Sequence, residues 1–167
     1  MLVAGLVALG FYAVKVIGPK AVPKGEPIVT RSQLWWFWGA VVLLWVSSDW
    51  PIHDVGEENL YVVHMAQHFL ITMVLPPMML LAVPRWLAEL VVTDEGFVWR
   101  WLRRLTIPVV ATVLFNAFQV FTHWQPVVNK AVEDGPFHYA VHVVSVATAL
   151  IMWIPVCGPW PQLRMKS

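Results

Sequence analysis

Charge is scarce in this chain: 13% of its 167 residues are Asp, Glu, Lys or Arg, while 59% are apolar and the mean hydropathy is +0.65. A soluble domain of this size carries about twice that share of charge to cover its surface, so the composition argues for a membrane protein. Cysteine is nearly absent. The single thiol, Cys157, leaves no pair for a thiol-based metal carrier or a dithiol oxidoreductase. There is no separate basic domain, which excludes a nucleic-acid partner. No basic segment precedes the first apolar stretch and no small-residue cleavage site follows it, so that stretch reads as a retained helix and not as a signal peptide.

What is present is apolar length. Five stretches, residues 2–17, 34–48, 60–83, 105–124 and 139–157, approach the length needed to cross ~30 Å of hydrocarbon at about 1.5 Å per residue. The first two are short, and Trp35, Trp36 and Trp50 would complete the crossing at headgroup level. The sequence therefore predicts an all-α integral membrane protein, a single domain over 1–167 built as a bundle of five transmembrane helices.

Charge placement orients the bundle. Lys15, Lys20, Lys24, Arg31, Arg85, Arg100, Arg103, Arg104, Arg164 and Lys166, ten of the eleven basic residues, fall in the connections on one side, and only Lys130 falls on the other. By the positive-inside rule the first side is cytoplasmic, with the N-terminus outside and the C-terminus inside. Residues 18–33, with Pro19, Pro23 and Pro27, read as an irregular inner loop. Residues 84–104 mix Trp86, Trp99 and Trp101 with Arg85, Arg100, Arg103 and Arg104, the pattern of a helix lying in the headgroup region. Outside, residues 49–59 carry Asp49, Asp54, Glu57 and Glu58, and a short linker over 125–137 adds Glu133 and Asp134.

All six histidines belong to that outer side. His64 and His68 open the third span and share a helix face by their i,i+4 spacing. His138 and His142 repeat the spacing at the entrance of the fifth span, His123 ends the fourth, and His53 lies in the acidic loop. A lone histidine near a helix end is ordinarily an interfacial hydrogen-bonding residue. Two pairs and a fifth at matching depth, with ionisable groups costly in a bilayer, point instead to a metal site. Imidazole suits copper, zinc and iron alike.

Other polar groups accompany the cluster. Asn116, Gln119 and His123 form one stripe along the fourth span, and Gln67 adjoins His68; each can orient a ligand or bond a neighbouring helix. Met65 offers a soft thioether but is turned off the histidine face, so it would assist without being a fixed ligand. Pro76 and Pro77 predict a kink or break below His68. The run His64-Met65-Ala66-Gln67-His68 lacks the Glu of the metalloprotease signature His-Glu-x-x-His, because Met65 occupies that place. A zinc-dependent hydrolase using Ser47, Ser48 and Asp49 with the histidines stays open, as does a haem-binding cytochrome subunit with paired histidines as axial ligands.

The run His64 to His68, followed by Pro76-Pro77-Met78-Met79-Leu80-Leu81-Ala82-Val83-Pro84, resembles the third-helix region of the CtaG family of cytochrome c oxidase assembly factors. Asn116, His123, His138, His142 and Trp153-Ile154-Pro155-Val156 follow that family's later pattern in order and approximate spacing. The resemblance implies a multi-pass protein of the bacterial cytoplasmic (inner) membrane that helps mature a haem–copper oxidase. It further implies copper handling at the outer face and no enzymatic activity. The expected metal ligands are His64, His68, His123, His138 and His142, with Met65, His53 and Asp49 assisting and Gln67, Asn116 and Gln119 behind them. The implied partners are oxidase subunits in the same bilayer. Family members usually continue with further helices, so partner helices or an oligomer are expected to complete the bundle.

Overall fold

In the computed structural model, residues 2–48, 61–92 and 96–165 are described. Every regular element among them is helical. The chain opens with α1 (Leu2–Tyr12), which passes through a π-helical turn (Ala13–Ile17) into α2 (Gly18–Ala21). After an irregular, proline-bearing stretch comes α3 (Arg31–Ser48), then α4 (Tyr61–Phe69), a second π-helical turn (Leu70–Val74) and α5 (Leu75–Ala82). The remainder is α6 (Arg85–Val91), α7 (Phe97–Leu105), α8 (Pro108–Thr122), α9 (Gln125–Glu133) and α10 (Gly135–Cys157), ending in a short 3-10 turn.

Among the described residues three helices are long and apolar enough to cross a membrane: Val3–Ala21, Val62–Ala82 and Gly135–Cys157. A fourth span arises if α7 and α8, bent by 82° between them, count as one. The expected second span is helical, as the 18-residue α3, but it is not among the helices apolar enough to cross, its Arg, Ser, Gln and four Trp diluting its hydropathy. The 82° bend sets α7 nearly perpendicular to α8. This suits the in-plane helix expected from its Arg and Trp pattern, although Trp99 is buried inward.

Of the kink or break expected at the prolines, the break does not occur. Pro76 and Pro77 neither break nor end the third span, which runs as one 21-residue helix. Their rings would clash with carbonyls four residues earlier, and the wider i→i+5 turn at Leu70–Val74 accommodates them. The expected outer linker over 125–137 is also more ordered than a loop, because α9 occupies most of it.

Packing runs across the molecule in the order α1, α3, α4–α5, α10, α8. Ala40 of α3 joins Ile71 and Leu75 in one core, flanked by Met78, Met79 and Val146. A Cβ on Gly39 would stand 2.6 Å from Met78 Cε, the end of a flexible side chain that could shift to admit it. A second core at the other end combines Leu80, Val92, Trp99, Ile154 and Leu163. It ties α7 to the end of α10. Trp86 Nε1 donates to the Ile28 carbonyl at 2.8 Å and Trp160 Nε1 to the Ala88 carbonyl at 3.3 Å, so α6 is fastened both to the stretch before α3 and to the segment after α10.

Candidate metal centre

The histidine pairs meet because α10 packs against α5 and the π-helical turn that continue α4, which brings the rings at the start of α4 and of α10 together. Within each helix the i,i+4 spacing stacks two imidazoles one turn apart. The His64 and His68 ring centroids are 4.6 Å apart, and so are those of His138 and His142. Between helices, His68 stacks on His142 at 4.6 Å, while His64 stands 5.9 Å from His138 and 6.3 Å from His142. Four imidazoles from two helices thus form one cluster, each half-buried.

Local devices set its phase. Asp134 caps α10 by accepting from the Phe137 N–H at 3.1 Å, with Pro136 in the first turn, and this places His138 and His142 on the first two turns. On the other side, Gln67 Nε2 donates to the Ser47 carbonyl at 3.0 Å in a buried contact. That bond supplies a partner to a terminal carbonyl of α3 and anchors α4 against it. Thr72 Oγ1 donates to the His68 carbonyl at 2.6 Å, linking the histidine turn to the π-helical turn below.

The cluster is closed on itself. His138 Nε2 and His142 Nε2 are 2.6 Å apart, a hydrogen bond in which one ring donates and the other accepts. Two imidazole nitrogens sharing a tetrahedral ion at about 2.0 to 2.1 Å would stand roughly 3.3 Å apart. Accordingly, among the described residues no three His, Cys, Asp or Glu side chains are arranged to hold a metal ion as they stand. His68 Nδ1, however, is buried without a hydrogen-bond partner. An unpaired nitrogen in such surroundings is costly, and it is a ready donor for an incoming cation.

The remaining candidates separate. His123 ends α8 on the same side, its Nδ1 2.7 Å from the Gln119 carbonyl; it is exposed and stacks on none of the four rings, yet stands near enough to His68 to interact with it electrostatically. Gln119 Oε1 is buried without a partner. Asn116 faces outward and bonds only its own helix, Nδ2 to the Thr112 carbonyl at 2.8 Å. Met65 is half-buried one position along from His64. Asp49, His53 and Trp50 lie outside the described residues, as do Asp54, Glu57 and Glu58. Cys157 is far along α10 from the histidines, where Sγ approaches the Trp153 carbonyl at 3.6 Å. Sequence spacing located the four clustered histidines. It passed over the Gln67–Ser47 bond, which no local pattern announces, and the Asp134 cap, which the Asp-Gly-Pro before an apolar run does signal.

No curated protein and no solved structure matches the chain. The family described as cytochrome c oxidase caa3 assembly factor (Caa3_CtaG) matches residues 10–167, nearly the whole length and the entire histidine-bearing bundle. The chain belongs to the Caa3_CtaG family of cytochrome c oxidase assembly factors.

Proposed function

We propose that this assembly factor receives copper as cargo at the outer face of a bacterial cytoplasmic membrane and passes it to a haem–copper oxidase subunit in the same bilayer, without catalysing a reaction. The observation that carries this reading is the gathering of His64, His68, His138 and His142 from two helices into one half-buried cluster. Neutral imidazoles suit copper, and no thiol is needed. Capture would begin by turning His138 or His142 out of their mutual hydrogen bond, a rearrangement costing about 1 kcal/mol. A site so lightly latched can load and unload, as a carrier requires. His123, exposed at the end of α8, would serve at the entrance, and Met65 would assist transfer as a soft thioether.

Haem is less favoured, because His68 stacks directly on His142 and closes the space a macrocycle would need. The zinc-hydrolase reading has less support still, since the family that the chain matches is one of assembly factors. The test is metal analysis and a visible spectrum of protein purified without affinity histidines, together with oxidase maturation in cells. Copper bound without haem bands, and loss of maturation in His64→Ala/His68→Ala with Cys157→Ser unaffected, is the expected result. Sharp haem bands, or maturation that survives the double histidine replacement but fails in Cys157→Ser, would overturn it.

A further inference from the structure

The polar atoms around the histidine cluster are of two kinds. Some are bonded: Thr72 Oγ1 donates to the His68 carbonyl at 2.6 Å, and Thr148 Oγ1 to the Val144 and Ser145 carbonyls at 3.0 Å each. His123 Nδ1 lies 2.7 Å from the Gln119 carbonyl, and the Nε2 atoms of His138 and His142 bond each other. His68 Nδ1 and Ser145 Oγ, by contrast, are buried with no partner, as is Gln119 Oε1 on the neighbouring α8. Ser145 is wholly enclosed, at 0% exposure.

Ser145 stands on the seam that carries the histidines. His138, His142, Ser145 and Ala149 follow one another at steps of four, three and four residues, so they share one face of α10. His142 stacks on His68 at 4.6 Å, and Val146, next after Ser145, packs against the core of Ile71 and Leu75. The hydroxyl is therefore about one turn below the stacked rings, where α10 meets the helix that bears His68. A buried hydroxyl without a partner is costly, and replacing it by an apolar group of the same shape removes that cost. A histidine that binds a metal through one nitrogen ordinarily donates its other N–H to a fixed acceptor, which sets the tautomer and the angle of the ring. A serine oxygen can be that acceptor.

We propose that Ser145 is a positioning residue for His68: when the cluster takes up its cargo, His68 donates its Nδ1–H to Ser145 Oγ and so presents Nε2 to the metal. The inference rests on the copper reading above. In the structure the two atoms are not bonded to each other. They come together as the His138–His142 pair parts and frees the His68 ring from its stack, while Ser145 needs only rotation about one bond to meet it. Loading then satisfies two buried polar atoms that the empty cluster leaves unpaired.

Three measurements on the full chain in detergent, with Cu(II) as the probe, test this. Chelator competition should show affinity about tenfold weaker in Ser145→Ala, the low end of the range for an outer partner of a ligand. Thr148→Val, which removes a hydroxyl already bonded within its own helix, should leave affinity unchanged. Metal-free Ser145→Ala should unfold at or above the temperature of the unchanged chain, because an unpaired buried hydroxyl has gone. Electron spin-echo modulation from the non-coordinating ring nitrogens of the loaded protein should change in Ser145→Ala and not in Thr148→Val. Unaltered affinity and modulation in Ser145→Ala would overturn the assignment, as would a loss of affinity matched by a loss of metal-free stability. A loss in Gln119→Leu with none in Ser145→Ala would also overturn it and give the role to Gln119. An unchanged chain that binds no copper would overturn the copper reading itself, and this inference with it.

Discussion

His138 Nε2 and His142 Nε2 face each other across 2.6 Å on successive turns of α10. The same spacing that makes them a candidate chelate also lets them bond to each other when no ion is between them. In the structure the cluster is closed, with one imidazole capping the other; under the proposed function a cation would enter by parting that pair. His142 also contacts His64 and His68, so it stands at the centre of the group.

That position gives an order of effects. His142→Ala should reduce copper affinity at least tenfold to a hundredfold, the loss seen even when an outer partner of a ligand is removed. His123→Ala, outside the four-ring cluster, should cost less. Competition with a chelator of known copper affinity measures both, and an equal or larger loss at His123 would move the site toward α8.

Copper binding should also depend on pH. Each imidazole must be neutral to coordinate, so affinity should be fully present above the ordinary histidine range near ~6.5 and fall as pH drops through it. Titration of binding between pH 7.5 and 5 reads this directly. A flat profile would assign the ligands to carboxylates or thioethers.

The Asp134 cap should matter to stability more than to chemistry. Asp134→Ala removes the acceptor for the Phe137 N–H and should lower the stability of the folded protein by about 1 kcal/mol, whereas Asp134→Asn should retain most of it. Thermal unfolding in detergent, followed by tryptophan fluorescence, distinguishes the two. An unchanged midpoint in the alanine variant would mean that α9 and α10 hold that corner without the cap.

Orientation is open to a labelling test. With Cys157→Ser as background, Lys130→Cys on α9 should react with an impermeant maleimide added outside intact cells, and Arg100→Cys on α7 only after the membrane is opened. The reverse pattern would put the histidine cluster in the cytoplasm and remove the basis for extracytoplasmic copper delivery.

The sequence alone determined the all-helical class, the three strongest spans and the four histidines that meet. Each rests on a short-range property: apolar length for the spans, and i,i+4 phase for the pairs, which any helix converts into neighbours on one face. It also marked α7 as amphipathic, through the interleaving of Trp99 and Trp101 with Arg100, Arg103 and Arg104. Which helices adjoin was decided only by the tertiary structure, because packing α10 between α5 and α8 depends on contacts between residues distant in the chain. That arrangement joined His64 and His68 to His138 and His142, while His123, at matching depth in the sequence reading, stayed outside. It also turned Asn116 outward, where spacing could name a stripe but not the side of the bundle it would occupy. The prolines show the same division. Pro76 and Pro77 require a local departure from α-geometry, and the structure supplies it as a π-helical turn over Leu70–Val74 within a helix continuous from Val62 to Ala82.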